Sequence, residues 1–251
     1  MKLRFRRLLG GLASWPWAAA AGGVAVLMLV GAVAWYATSG GTLRTLHVSG
    51  NTILSADSVR TLTGLQTGQP LRAVSSDQTS TRLDHHPWIE RSSVQVRPFR
   101  NRADVQVHEH TPRGRWVAPD GTPRFFLDAH GHALPPRPDT TFDVPLVYDD
   151  SVSYHESQPA VRPATQQALR ALAAADTVRA LVSGLRTASD QAVDLYMTHP
   201  NGYTVTVHLG RGNYVSKLQR LEAFHTHVLP HTSDSIRTID LRFAEQVVTR
   251  P

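Results

Sequence analysis

The 251-residue chain carries 26 Lys and Arg against 20 Asp and Glu, a formal net charge of +6, and no cysteine. The lack of cysteine excludes disulfides, thiolate metal sites and a cysteine nucleophile. Four basic residues, Lys2, Arg4, Arg6 and Arg7, crowd the first seven positions; the other 22 nearly balance the 20 acidic residues, so the body lacks the basic excess of a nucleic-acid binder.

Residues 8–43 then contain no Asp, Glu, Lys, Arg or His. At ~1.5 Å per helical residue, the apolar centre at 17–37 is long enough to span a hydrocarbon layer of roughly 30 Å. Trp15, Trp17, Trp35 and Tyr36 bracket it like an aromatic belt. The sequence predicts a basic cytoplasmic tail at 1–16, a transmembrane helix at 17–37, and a single-pass type II topology with the body on the far side of the membrane. A cleaved secretory signal ending near the Ala-x-Ala at 32–34 is the alternative, although the apolar core of such a signal runs only ~7 to 15 residues.

Next comes a short strand around Leu46 and Val48, stopped by Ser49, Gly50 and Asn51. Ser55 opens a short helix that carries Val59 and Leu62 and ends at Gly64. Ser75 or Ser76 caps a second helix, which contains Leu83 and stops before Pro87. Val94 and Val96, then Val105 and Val107, alternate with polar residues on either side of a turn at 100–102, a hairpin with one buried face. The order is strand, helix, helix, strand, strand.

From Trp116 extended segments follow at 124–128 and 144–148, and Pro135, Pro136 and Pro138 make the stretch between them a loop. Pro163 opens an Ala-rich helix at 163–175. Strands at 192–196 and 203–209 flank Pro200, Asn201 and Gly202, an Asn-Gly hairpin signal. A helix at 213–229 places Tyr214, Leu218, Leu221, Phe224 or His225, and Val228 on one stripe, with Lys217 and Arg220 outside it. The last predicted element is a half-buried strand at 235–243, in which Ile239, Leu241 and Phe243 alternate with Asp240 and Arg242.

Leu46 to Asn51, Leu71, Pro87, Trp88 and Ile89, and the run Val105, Gln106, Val107, His108, Glu109, His110, Thr111 and Pro112 resemble the POTRA domain of the bacterial FtsQ/DivIB division family. Phe126, Leu127, Asp128 and Gly131 are similar to that family's following segment. Leu209 and Gly210, then Lys217 and Leu218, then the run from Ile236 through Asp240, Leu241, Arg242 and Phe243, are similar to its closing hairpin, helix and strand. The implied fold is α+β: one N-terminal transmembrane helix, a POTRA-like domain at 43–112, and a mixed, mainly antiparallel β domain with helices at 113–248.

The resemblance implies a non-catalytic divisome scaffold. Its expected partners are FtsB/DivIC-type and FtsL-type division proteins, and through them it helps regulate septal peptidoglycan synthesis by FtsW and FtsI. It implies a cell inner membrane protein at the division septum, with its body periplasmic or otherwise extracytoplasmic. It also implies that the last β segment offers a sheet edge to a partner, so Thr238, Asp240, Arg242 and Phe243, with Glu245 and Val247 just beyond, are the expected contact residues. Two other readings are a POTRA-containing secretion or outer-membrane assembly factor and a membrane-anchored cell-wall hydrolase.

Little in the residues points to catalysis or a cofactor. There is no Gly-x-Ser-x-Gly elbow, His-Glu-x-x-His helix or Ser-x-x-Lys motif. Three His-x-His pairs occur, at His108 and His110, His130 and His132, and His225 and His227. Each supplies at most two ligands where a closed zinc site takes four, so solvated or half-buried histidine is the expectation at each. Asp149 and Asp150 read as solvated loop acids.

Overall fold

The computed structural model describes residues 16–39, 41–138, 140–152, 160–199, 202–231, 236–244 and 246–251, and the side chains of its first helix at 22–34. That helix, α1 (Pro16–Ser39), has 24 residues, a length of about 36 Å. Its described apolar side chains, Val24, Val26, Leu27, Met28, Leu29, Val30 and Val33, are all exposed. Within the residues so described, no helix is long and apolar enough to cross a membrane. The tail at 1–15, Trp15 included, and the side chains of Trp17, Trp35 and Tyr36 lie outside the described residues.

The first unit begins two residues after α1. Leu71 N–H donates to the Gly41 carbonyl at 2.9 Å, and Leu43 N–H donates to the Gln69 carbonyl at 2.8 Å. The first unit comprises β1 (Thr45–Ser49), α2 (Ala56–Thr63), α3 (Ser76–Asp84), β2 (Ile89–Arg97) and β3 (Arg102–Glu109). Local chemistry sets its boundaries. Ser55 accepts from Ser58 N–H to cap α2, Ser75 accepts from Gln78 N–H to cap α3, and Gly64 closes α2 in the left-handed region with φ 67°. Asn101, at φ 50°, makes the hairpin turn. In the three-stranded sheet β3 is central, parallel to β1 and antiparallel to β2. Val59, Leu83, Trp88, Val94, Val105 and Val107 form its core.

Glu109, at the end of β3, ties this unit together. Its carboxylate accepts the N–H groups of Thr52, Ile53 and Leu54 at 2.7–2.8 Å, and the Thr52 hydroxyl at 2.8 Å. Burial pushes its pKa up, but these four donors outweigh burial and hold it below the usual range.

The second unit contains β4 (Gly114–Val117), β5 (Pro123–Leu127), β6 (Ala133–Leu134), β7 (Leu146–Asp149), α4 (Pro163–Ala173), α5 (Asp176–Arg179), β8 (Val182–Thr187), β9 (Val193–Thr198), β10 (Thr204–Gly210), α6 (Tyr214–His227), β11 (Thr238–Asp240) and β12 (Val248–Arg250). These strands form one nine-stranded sheet in the order β12-β11-β10-β9-β8-β7-β4-β5-β6. The pairs β4/β7, β7/β8 and β10/β11 are parallel, and the remaining pairs are antiparallel. Ala168, Leu169 and Leu172 of α4 and Leu218, Leu221 and Phe224 of α6 pack with Val147, Leu185, Leu195 and Val207 of the sheet in one core. Residues 200 and 201, within the predicted Asn-Gly turn, lie outside the described residues.

The two units share an aromatic seam, in which Trp88 and Phe126 are buried and Phe142 is partly buried. Trp88 stacks on Phe142 with ring centroids 5.8 Å apart, Phe126 meets Phe142 edge-on at 5.1 Å, and the Trp88 indole N–H donates to the Pro135 carbonyl at 3.2 Å. Phe126 and Leu134, from β5 and β6, thereby join the core of the first unit.

Three sequence expectations need correction. Lys217 does not project outside the α6 stripe; it is 7% exposed, because carbonyls at the end of β10 take up its ammonium, whereas Val228, expected on the stripe, is exposed. Asp149 is not a solvated loop acid. It ends β7, is buried, and accepts from Ser151 N–H and hydroxyl, Arg162 N–H and the Thr165 hydroxyl, so it holds the start of α4. Finally, the last predicted strand is shorter than expected. β11 stops at Asp240, Leu241 N–H bonds back to the His208 carbonyl at 2.9 Å, and Phe243 leaves the inner face to stand 52% exposed. Ser235 lies outside the described residues.

Candidate partner-binding edge

The two ends of the large sheet differ. At one end β6 is short, and its residues Ala133 and Leu134 are buried, Leu134 in the aromatic core of the first unit. At the other end β12 pairs antiparallel with β11, and among the described residues no strand pairs with its outer side. Val248 is half-buried, and Thr249 and Arg250 are exposed. A strand in this position presents unmet N–H and C=O groups, a template for an added strand.

Helix α6 and the β11–β12 connection position that edge. The Lys217 ammonium donates to the carbonyls of Leu209 at 2.7 Å and Arg211 at 2.9 Å, pinning the helix to the end of β10. Burial, with the nearby Arg220 charge, pushes its pKa down. One turn along, Arg220 donates to the carbonyls of Phe243 (2.8 Å), Gln246 (3.2 Å) and Leu241 (3.3 Å), which holds the connection against α6.

Asp240 and Arg242 form a second fixture. On the sheet face opposite the helices, Asp194, His208 and Asp240 lie in register on adjacent strands, and His208 Nδ1 is 2.7 Å from the Asp194 carboxylate. Asp240 occupies this face as the alternation predicts, yet it is only 4% exposed, because Arg242 folds back over it. Arg242 donates its backbone N–H and Nε to Oδ1 at 3.0 and 2.9 Å, and Nη2 to Oδ2 at 2.5 Å. This contact holds the Asp240 carboxyl below the usual range despite burial, with the His208 charge adding a smaller push downward. Gly210, at φ 64°, makes room for the arrangement: a Cβ there would stand 2.9 Å from Arg242 Cγ. Beside the connection runs an open groove of about 610 Å³ lined by Arg211, Lys217, Arg220, Arg242 and Phe243, basic with one exposed aromatic ring.

Of the residues the sequence offers as contacts, Arg242 and Phe243 are exposed beside the groove. Thr238 is half-buried on β11, an inner strand, and Val247 is half-buried against the main core. Asp240 is buried beneath Arg242, and Glu245 lies outside the described residues. Sequence reasoning did not find Arg220 and Lys217 as positioning residues. For Lys217 a signal existed: it stands three residues after Tyr214 and four before Leu221, on the buried stripe, where a long side chain can reach carbonyls beyond the helix. Arg220 bonds backbone more than twenty residues away, which no local pattern encodes.

Away from this edge, the His-x-His pairs do not act as pairs. One histidine from each of two pairs, His110 and His132, meets the buried Asp128, and among the described residues these three are the group whose ligand atoms, all within 4.8 Å of one another, could hold a metal ion.

At the level of class, the chain is an α+β protein with a POTRA unit followed by a mixed sheet and helices. Residues 42–110 match the POTRA domain of FtsQ type, and residues 111–250 match the family described as FtsQ/DivIB, C-terminal related. The chain is 33% identical over 232 residues to the cell division protein FtsQ of Salinibacter ruber (strain DSM 13855 / M31), covering 90% of this chain and 89% of that protein. It is 33% identical over 233 residues to cell division protein FtsQ of Rhodothermus marinus, covering 91% and 84%. It is also 27% identical over 219 residues to the protein of that name from Geobacter sp. (strain M21), covering 83% and 75%. The chain therefore belongs to the FtsQ/DivIB family of cell division proteins, a membership that supports a divisome role with divisome protein partners.

Proposed function

We propose that the chain is a non-catalytic scaffold of the divisome that receives an FtsB/DivIC-type partner, with an FtsL-type protein, by strand addition along the outer side of β12. Through these partners it helps regulate septal peptidoglycan synthesis by FtsW and FtsI. The carrying observation is the contrast between the ends of the large sheet: β6 packs into the aromatic core of the first unit, while β12 is open, with a basic, aromatic groove beside the connection that leads to it. Main-chain pairing supplies affinity there, and the groove selects a partner segment with acidic and apolar side chains. In this reading Arg242, Phe243, Glu245 and Val247 are the partner contacts, and Thr238 and Asp240 contribute from β11.

In this reading residues 17–37 cross the inner membrane, residues 1–16 remain cytoplasmic, and the domains at 43–112 and 113–248 lie outside the cytoplasm at the septum. The charge-free run at 8–43 behind the basic tail, and the exposure of the described apolar side chains of α1, support the anchor.

The test uses the full-length chain. Phe243→Ala and Arg211→Glu, both at exposed positions, are introduced into a fluorescent fusion that replaces the native copy, and the partner's ectodomain is coprecipitated with each variant. Reduced capture together with filamentous cells is expected, with folding checked by circular dichroism. Full capture and normal division by the double variant would contradict the edge reading, and division unaffected by depletion of the chain would contradict the divisome role itself.

A further inference from the structure

We infer that His110, Asp128 and His132 form a binding site for a divalent transition metal of the zinc class, placed across the join between the two units. His110 follows β3 directly, Asp128 follows β5, and His132 precedes β6, so each ligand leaves the end of a strand. The Nδ1 atoms of His110 and His132 approach the same Asp128 Oδ2, at 2.8 and 3.0 Å, and the two ring centroids lie 5.7 Å apart. Two imidazole nitrogens and one carboxylate oxygen, with a water in the fourth position, make an open tetrahedral set that suits zinc. Metal–ligand bonds of ~2.0–2.1 Å place tetrahedral ligand atoms roughly 3.3 Å apart, so each His–Asp distance needs to open by only a few tenths of an ångström, and all three ligand atoms already lie within 4.8 Å of one another.

The surroundings are built for ligation. Asp128 is 2% exposed, and its other oxygen, Oδ1, accepts the N–H groups of His130 and His132 at 2.8 Å each, which fixes the carboxylate plane. His110 is anchored through its own N–H to the Trp88 carbonyl at 3.0 Å. His110 is mostly buried and His132 partly so, which leaves a solvent path for the ion. On binding, the metal takes the place of the Nδ1 proton on each ring: a neutral ring carries its one proton at Nε2 instead, and a doubly protonated ring releases one proton to solvent and keeps the other at Nε2. A metal here joins the last residue pattern of the three-stranded unit to the β5–β6 turn and so clamps the two units together.

The experiment takes the full-length, untagged chain in detergent micelles, stripped with a chelator, and titrates it with Co²⁺ followed in the visible range and with Zn²⁺ against a chromophoric competitor. The expected results are one equivalent of metal per chain, a tetrahedral cobalt spectrum, and a higher Tm with Zn²⁺. Asp128→Asn disturbs the turn as well as the site, so the deciding variants are His110→Ala and His132→Ala. Each should weaken zinc binding at least tenfold, while His108→Ala, beside His110 in the same pair, and His225→Ala, in the pair that supplies no ligand, leave it unchanged. Absence of stoichiometric binding, or binding that survives both deciding variants, overturns the site.

Discussion

Asp240 shows how a single buried carboxylate can organise the end of a strand. Its folded pKa lies below the unfolded value, so it contributes stability that is fully present above the ordinary carboxylate value of ~3.9 and is lost as pH falls through the folded value. Asp240→Asn should therefore have a lower Tm than the parent at neutral pH, and the gap should close below about pH 4; thermal unfolding across that window checks it. Lys217 makes a complementary case. Lys217→Met keeps the apolar stem but leaves the Leu209 and Arg211 carbonyls without their donor, and should destabilise the fold by about 1–3 kcal/mol in denaturant unfolding. Gly210→Ala places a Cβ against Arg242 and holds alanine at φ 64°, a strain of about 1–3 kcal/mol, measurable in the same way.

At the scale of elements, Arg220 determines whether the β11–β12 connection is held or loose. Arg220→Ala removes donors to three carbonyls of the connection while leaving the α6 core stripe intact, so partner affinity should fall several-fold with little change in Tm. Titration of the partner ectodomain beside a melting curve separates the two effects. This contrast also explains what was legible beforehand. Ser55, Gly64 and Ser75 act within four residues of themselves, and Val105 with Val107, or Val205 with Val207, show a period of two, so helices and inner strands were readable from the sequence. The edge was readable only in outline. Alternation placed Asp240 on the correct face, but its burial depends on Arg242 folding back, and β11 ends where the Arg242 N–H turns to the Asp240 carboxylate. The strand that closes the sheet, β12, has three residues, too few for periodicity to register. The histidine cluster was hidden for a similar reason: its members come from two different pairs, brought together by the packing of one unit on the other.

The molecule as a whole is a chain of supports running from α1 to the open edge. Gly41, two residues past α1, already accepts a hydrogen bond from Leu71, so with α1 in a bilayer the first unit stays near the membrane surface. The Trp88 seam then carries the large sheet, with β6 at its covered end and β12 at its open one. Trp88→Ala should cost about 3–5 kcal/mol and loosen both units together, which denaturant unfolding followed by probes in each unit would register. The central claim is that β12 accepts a strand from the partner, and the most direct measurement is amide hydrogen exchange on the full-length chain with and without the FtsB/DivIC-type ectodomain. Strong new protection of the peptide covering residues 246–251 is expected, lost in Val248→Pro or Thr249→Pro, since consecutive N–H groups of a strand point to opposite sides and one of the two faces outward. Saturating partner that leaves this peptide exchanging at its free rate while protecting another surface would contradict it.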